Sequence, residues 1–227
     1  MIKLLIKIAE KGLLPDFFIR FGISRLCGQR LSDAKGLSTQ AMEEKHQQWI
    51  NILKDSPVAL VPEKANEQHY EVPPRLFELV LGSNLKYSAG YWPQGTSSLD
   101  DSEVEMLKLT SERASLSDGQ DVLELGCGWG SLTFHMAQNF PNSKITAVSN
   151  SNDQRQFIEK KCEKLKIKNI KVITADMNDF SIDKEFDRVV SIEMFEHMRN
   201  YDKLLKRVGG WLKKDGKLFV HIFSHKE

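Results

Sequence analysis

Three side chains at the end of one apolar run have the types and spacing for acid–base chemistry. FDRVVSIEMFEHMRNY (186–201) leaves a strand-like pattern and then sets Glu193, Glu196 and His197 within five positions. Two carboxylates and an imidazole so placed can supply a general base and electrostatic support for it. Alone, they describe equally well the acidic first turn of a solvated helix. A second string, ELGCGWG (124–130), lies between a strand pattern and a helical one, with glycines at 126, 128 and 130. Glycines there let the backbone turn sharply and let a ligand approach with no Cβ in the way. If both strings close the carboxyl ends of parallel strands, they share one rim, and the functional reading of the acid–imidazole trio gains weight.

The glycine string departs from the dinucleotide fingerprint G-x-G-x-x-G, because its third glycine comes one residue early and Ser131 stands where that glycine would be. The acidic Glu124 sits just before the turn. This suits a ligand with an amino-acid end, its carboxylate on backbone N–H groups and its ammonium on Glu124, directly or through water. S-adenosylmethionine has that chemistry, and a nucleotide is the alternative. The second strand pattern ends in Ser149-Asn150-Ser151, with Gln154 one turn further on. An amide or hydroxyl there can hold a ribose, more weakly than the usual acid. The third ends in Ala175-Asp176-Met177, where Asp176 can accept from an adenine amino group and Met177 offers a soft surface to the ring. A strand-end turn accounts for those two residues equally well. His221, inside KLFVHIF, reads as a buried histidine satisfied by a neighbour or as a second group facing the pocket of Glu196. His46, His69, His135 and His225 have no convincing partner.

The elements that must position these residues follow from pattern. From Ser117 onward, short apolar runs at 121–126, 144–149, 170–175, 186–192 and 217–223 alternate with amphipathic helical stretches. That predicts an α/β, Rossmann-like doubly wound, mostly parallel sheet covered on both faces. Residues 118–227 form this expected cofactor-binding domain. Residues 1–117 form an expected helical cap with a cofactor-covering loop. In the cap, Ile2, Leu5, Ile6 and Ala9 share a stripe, and Pro15 opens a second amphipathic stretch. Residues 40–54 should bury Met42, Trp49, Ile50 and Leu53. A linker rich in Pro and Asn then leads to the helix in PPRLFELVL. NLKYSAGYWPQGTSSL is an aromatic-rich loop, and Asp100 with Glu103 is expected to open the next helix as a capping box. The fifth strand ends four residues before Glu227 and would be a bare apolar edge. The expectation is therefore that the sequence is incomplete at its C-terminus; a genuine five-stranded domain is the alternative.

Composition narrows the partners. The 227 residues are 41% hydrophobic and 28% charged, and 32 basic residues against 31 acidic ones leave a net charge of +1. No global field draws in nucleic acid, so none is expected as a partner. The three cysteines form no C-x-x-C pair, so neither a disulfide framework nor a metal site is expected, and a reducing cytoplasm fits best. No run reaches the roughly 18 apolar residues of a membrane span. Lys3, Lys7, Glu10 and Lys11 interrupt the N-terminus, so a secretory signal is not expected there.

QHYEVPPRLFELVLGSNLKYSAGYW, VLELGCGWGSLT, SNSNDQ, FDRVVSIEMFEHMRNYDKLL and LFVHIFSHK together resemble the cyclopropane-fatty-acid-synthase-like class I methyltransferases, nearest their coclaurine N-methyltransferase branch. The resemblance runs from PDFFIR to the last residue. It implies S-adenosylmethionine as cofactor and transfer of a methyl group to an amine nitrogen of a small molecule. Residue by residue, it gives Tyr87 and Ser88 to the methionine end of the cofactor, and puts Gly126 and Gly128 beneath it. It puts Asn150 and Gln154 on the ribose side, Asp176 and Met177 on the adenine side, and Ile192 beside the cofactor. Glu193, Glu196 and His197 match the substrate-amine site, with His197 and Glu196 as its base.

Two departures separate the chain from the lipid-acting members. Those generally have Cys where this chain has Ala89, and Gly where it has Glu193. They hold a bicarbonate near these positions, in part through the residues matching Glu196 and His221. A carboxylate at 193 would repel that anion by several kcal/mol, to an order of magnitude, in a low-dielectric pocket, and would favour a cationic or amine substrate. Two rival functions stand beside amine methylation. One is cyclopropane synthesis on unsaturated lipid acyl chains, with the lysine-bearing N-terminal helices lying on a membrane surface. The other is a non-catalytic cofactor-binding fragment. Packing onto the catalytic domain is the simpler reading of the N-terminal helices, and a homodimer is allowed. The family continues beyond a segment matching SHKE.

Overall fold

The computed structural model describes residues 2–34, 38–60 and 74–224. The linker over 61–73, with His69, and residues 225–227, with His225, lie outside them. The chain divides into two compact units, Met1–Asn51 and Ile52–Glu227. Residues 52–117, grouped by texture with the N-terminal helices, thus fall with the sheet.

The first unit carries α1 (Ile2–Glu10), α2 (Asp16–Ala34) and most of α3 (Thr39–Asp55). Two expectations fail here. In α2 the apolar side chains do not gather on one face, and Phe17, Phe18, Phe21, Ile23 and Leu26 are all exposed. In α3, Met42 and Trp49 are half exposed and no residue is fully buried, while Ile50 and Leu53 are partly covered. Helical periodicity identified the helices, but it carries no information on whether a partner surface is present.

The second unit continues with α4 (Pro74–Val80), α5 (Leu99–Arg113), β1 (Asp121–Leu125), α6 (Ser131–Asn139), β2 (Lys144–Ser149), α7 (Asn152–Leu165), β3 (Ile170–Thr174), β4 (Phe186–Ile192), a 3-10 turn (Phe195–His197), α8 (Tyr201–Trp211) and β5 (Leu212–His221). The strands form one parallel sheet in the order β3-β2-β1-β4-β5. Alternate residues of β1 enter different cores, which shows both faces covered. Leu123 and Leu125 pack with Val189, Leu204, Val208 and Trp211 on the α8 side. Val122 packs with Val190, Leu132, Met136 and Leu107 on the α5–α6 side. Each fully buried aliphatic side chain of this kind contributes roughly 1.5–3 kcal/mol. The chain order reverses direction between β1 and β4, so the crevice at their carboxyl ends is the switch point where such sheets take ligands.

Two local expectations are corrected. The last strand was expected over 217–223, but pairing begins at Leu212 and ends at His221, with Ile222 and Phe223 exposed beyond it. Between the pairs Phe186↔Leu212 and Arg188↔Lys217 the register shifts, and Lys213–Gly216 are looped out. The loop closes on Gly216, whose Cβ position would lie 2.9 Å from the Phe186 carbonyl oxygen. The cap of α5 is Ser98, whose side chain accepts from the Asp101 N–H, and not the Asp100–Glu103 pair. Those two carboxylates turn instead to the preceding loop.

Candidate active site

With the exception of His221, the candidate site residues singled out in the sequence line one cavity of about 630 Å3 at the carboxyl end of the sheet. β1 delivers Glu124 and then turns through Gly126 and Gly128, with φ of +82° and +52°. A Cβ on Gly126 would meet the Met194 side chain at 2.7 Å, so this glycine also sets how closely the loop after β4 approaches. The Gly126 and Cys127 N–H groups both donate to the Val148 carbonyl, which ties the turn to β2. Glu124 is buried, and Thr133 on α6 donates to its Oε2 at 2.6 Å. Burial raises its carboxyl from the ordinary 4.5 to about 8, with the Thr133 bond opposing the rise. Thr133 was missed in the sequence; its signal is a hydroxyl in the first turn of the helix that follows the glycine loop.

β2 and β3 supply the next wall. Asn150 and Gln154 line it at the end of β2, as do Asp176 and Met177 after β3. Gln154 is buried, and its Oε1 accepts from Ser149 Oγ at 2.6 Å. Its Nε2 has no hydrogen-bond partner among the described residues. A buried amide donor on a cavity wall costs free energy until a ligand oxygen meets it.

β4 ends in Ile192, and Glu193 follows with φ of +50°, a left-handed conformation held by its N–H to the His221 carbonyl at 2.8 Å. Non-glycine residues there cost of order 1–2 kcal/mol, and such strain gathers at functional sites. The 3-10 turn then brings Glu196 and His197 to the rim, both exposed and both lining the cavity. Tyr201 Oη donates to the Phe195 carbonyl at 2.7 Å, which fixes that turn from α8. His221 is partly buried and does not line the cavity, so the option that it shares a pocket with Glu196 is withdrawn. Its side chain belongs to an edge strand beyond the wall that Ile192 and Glu193 form.

The remaining walls come from the segment around Ala59, which has no sequence signature, and from the aromatic-rich loop after α4. Val58 to Leu60 run beside the loop after β4, with an Ala59–Met198 bridge and the Arg199 N–H donating to the Val58 carbonyl at 2.7 Å. Asn178 holds Ala59 from the other side through two 2.9 Å bonds. Tyr87 and Ser88 come from the loop between α4 and α5. Glu103, buried in α5, accepts N–H bonds from Gly82, Asn84 and Lys86 at 2.9, 3.0 and 3.2 Å. Asp100 accepts from the Ser83 N–H at 2.6 Å. The loop is therefore clamped onto a helix end by two carboxylates. Tyr87 stays about half exposed and meets Phe77 edge-on at 5.4 Å. Lys86, not foreseen, is buried and lines the cavity.

Comparisons with known proteins agree with this geometry. Residues 61–227 match the family model of mycolic acid cyclopropane synthetase. The chain is 40% identical over 225 residues to (S)-coclaurine N-methyltransferase of Thalictrum flavum subsp. glaucum, covering 98% of this chain and 62% of that enzyme. It is 33% identical over 163 residues to cyclopropane-fatty-acyl-phospholipid synthase of Escherichia coli (strain K12), covering 71% of this chain and 41% of the synthase. Among solved structures, coclaurine N-methyltransferase bound to N-methylheliamine and SAH superposes with a TM-score of 0.87 at 38% identity, over 97% of this chain and 64% of that one. The chain thus spans less than two thirds of the length of these relatives. The doubly wound sheet, the switch-point cavity and the match over residues 61–227 all place the chain in the mycolic acid cyclopropane synthetase family, with the fold of the class I methyltransferases.

Proposed function

We propose that the protein transfers a methyl group from S-adenosylmethionine to an amine nitrogen of a small molecule. One observation carries the reading: the glycine turn with Glu124 and the trio Glu193, Glu196 and His197 line one cavity at the switch point. The residues present fit the cofactor. Gln154 offers a buried, unpartnered amide donor for a ribose hydroxyl. Gly126 and Gly128 present no side chain of their own to a ligand over the turn. Glu124 meets an ammonium with the oxygen that Thr133 leaves free. Tyr87, Ser88, Asn150, Asp176, Met177 and Ile192 take the contacts that the family resemblance implies. The (S)-coclaurine N-methyltransferase relative and the solved coclaurine enzyme with SAH support the assignment.

When bound, S-adenosylmethionine supplies an electrophilic methyl on a positively charged sulfur. The chain's own residues must bind the amine, free its lone pair and keep water away. Glu193 attracts the protonated amine. His197, supported by Glu196, accepts the proton, since an imidazole is the side chain suited to that transfer near neutrality. Holding the reacting atoms in line is worth more than either charge, because orientation converts a bimolecular step into a local one. Glu193 also distinguishes this reading from lipid cyclopropanation, where an added carboxylate opposes a bound anion. We place the activity in the cytoplasm, on the support of three cysteines that are all unpaired. No helix among the described residues is long and apolar enough to cross a membrane.

The test is a turnover assay of the full chain with S-adenosylmethionine against a panel of primary and secondary amines and, separately, unsaturated phospholipid vesicles. Methylated amine is expected, and the pair Glu196→Gln with His197→Ala should reduce it by at least two orders of magnitude. Mass gain on the lipid alone, or undiminished turnover in the double variant, would overturn the assignment.

A further inference from the structure

Lys86 is the buried cation of the covering loop. It is 6% exposed, and a lysine is almost never so covered unless its charge has a purpose or a partner. It takes part in none of the ion pairs among the described residues. Its Nζ donates to Ser88 Oγ, which uses one of three donors and leaves two. Burial lowers its pKa, and the charges of Glu193 and Glu103 pull it back up.

The backbone is built to turn this side chain inward. Leu85 adopts φ of +51°, which is costly for a branched aliphatic residue, and its N–H donates to the Gly82 carbonyl at 3.0 Å. The Lys86 N–H is held by Glu103. Leu85 and Lys86 are consequently buried, while the next residue, Tyr87, is 55% exposed. Strain at Leu85 and a carboxylate clamp at Lys86 are more than a solvated lysine would require.

We propose that Lys86 is a binding residue for the carboxylate of the cofactor's amino-acid end, completing a site in which Glu124 takes the ammonium. This rests on the methyltransferase reading above and deepens it. Opposite charges on one zwitterion call for opposite charges on the protein, and the cavity has them. Glu124 lies beneath the glycine turn, and Lys86 lies on the loop that carries Tyr87 and Ser88. Arg199, another cation on the wall, stands two residues after His197 on the acceptor side. A carboxylate reaching Ser88 meets the Lys86 ammonium already bonded there, and an ion pair with a carboxylate replaces a bond to a neutral hydroxyl.

Titration calorimetry of the full chain tests this with two ligands. One is S-adenosylhomocysteine. The other is 5′-(3-aminopropylthio)-5′-deoxyadenosine, which keeps the nucleoside, thioether and ammonium and lacks only the carboxylate. Wild-type protein should prefer the first. Lys86→Met should weaken it roughly tenfold to a hundredfold, leave the second within about twofold, and so erase the preference. Lys86→Arg should restore most of it. Lys86→Gln, which keeps a donor for Ser88 without the charge, gives the same comparison if the Met variant does not fold. An unchanged preference in the neutral variants, whether or not both ligands weaken, would overturn the assignment while leaving the methyltransferase reading intact. Failure of the wild-type protein to bind S-adenosylhomocysteine would instead sink that reading, and this one with it.

Discussion

Glu124 is the residue whose chemistry depends most on its surroundings. As read from the sequence it is an ionised acid; in the structure it is buried, and its pKa is raised from 4.5 to about 8. The folded chain therefore holds a proton that the unfolded chain releases above pH 4.5. The stabilisation from this group is fully present below pH 4.5 and is lost as pH rises through about 8. Replacing Glu124 by Gln removes that dependence. The stability difference between Glu124→Gln and wild type, from urea melts of the cofactor-free protein, should grow in favour of the variant from pH 4.5 to about 8. A difference flat across that window would show that the carboxyl is not desolvated. An ammonium that binds Glu124 would favour the ionised form, so the same burial that weakens the empty site strengthens the filled one.

At the scale of elements, the clamp between α5 and the loop before it is the feature the sequence concealed. Ser98 and Asp100 are both favoured cap residues, and Glu103 stands at the right spacing to complete a capping box with Asp100, so local capping rules rank the two starts nearly alike. Which one caps is decided by where the 82–86 backbone runs, and that is a tertiary fact. Glu103→Ala would strand three backbone N–H groups, so a loss of about 2–4 kcal/mol is expected in denaturant melts. Glu103→Gln should recover part of it. A loss below about 0.5 kcal/mol for the alanine variant would mean the loop is held by other contacts. The strands, in contrast, were legible, because being buried on both faces writes a near-continuous apolar run into the sequence, as at Ile145–Val148, where Thr146 is the one polar residue. The switch-point residues were legible because strand ends and glycines mark them. The Val58–Leu60 wall and the looped-out Lys213–Gly216 were not, since each is set by a distant partner such as Asn178 or the Phe186 carbonyl.

At the scale of the whole molecule, burial is unevenly distributed. Among the described residues, every fully buried side chain lies between Val58 and Trp211. Leu204, wholly buried against β1 and β4, should cost about 2–5 kcal/mol as Leu204→Ala. Trp49, half exposed, should cost no more than about 0.5 kcal/mol as Trp49→Gln despite its size. Equal losses in thermal melts would mean that the N-terminal helices have a core of their own. The same unevenness bears on the site, because the residue at the end of β4 works against the fold that carries it. Glu193 sits where a glycine would be at ease, so Glu193→Gly should leave the protein as stable or up to about 1 kcal/mol more stable, while abolishing amine turnover. A clear destabilisation would show that the carboxylate also supports the fold. Breeding this chain for heat resistance alone would then drift toward glycine at that position and return a hardier, idle protein, so any such selection must keep turnover in the screen.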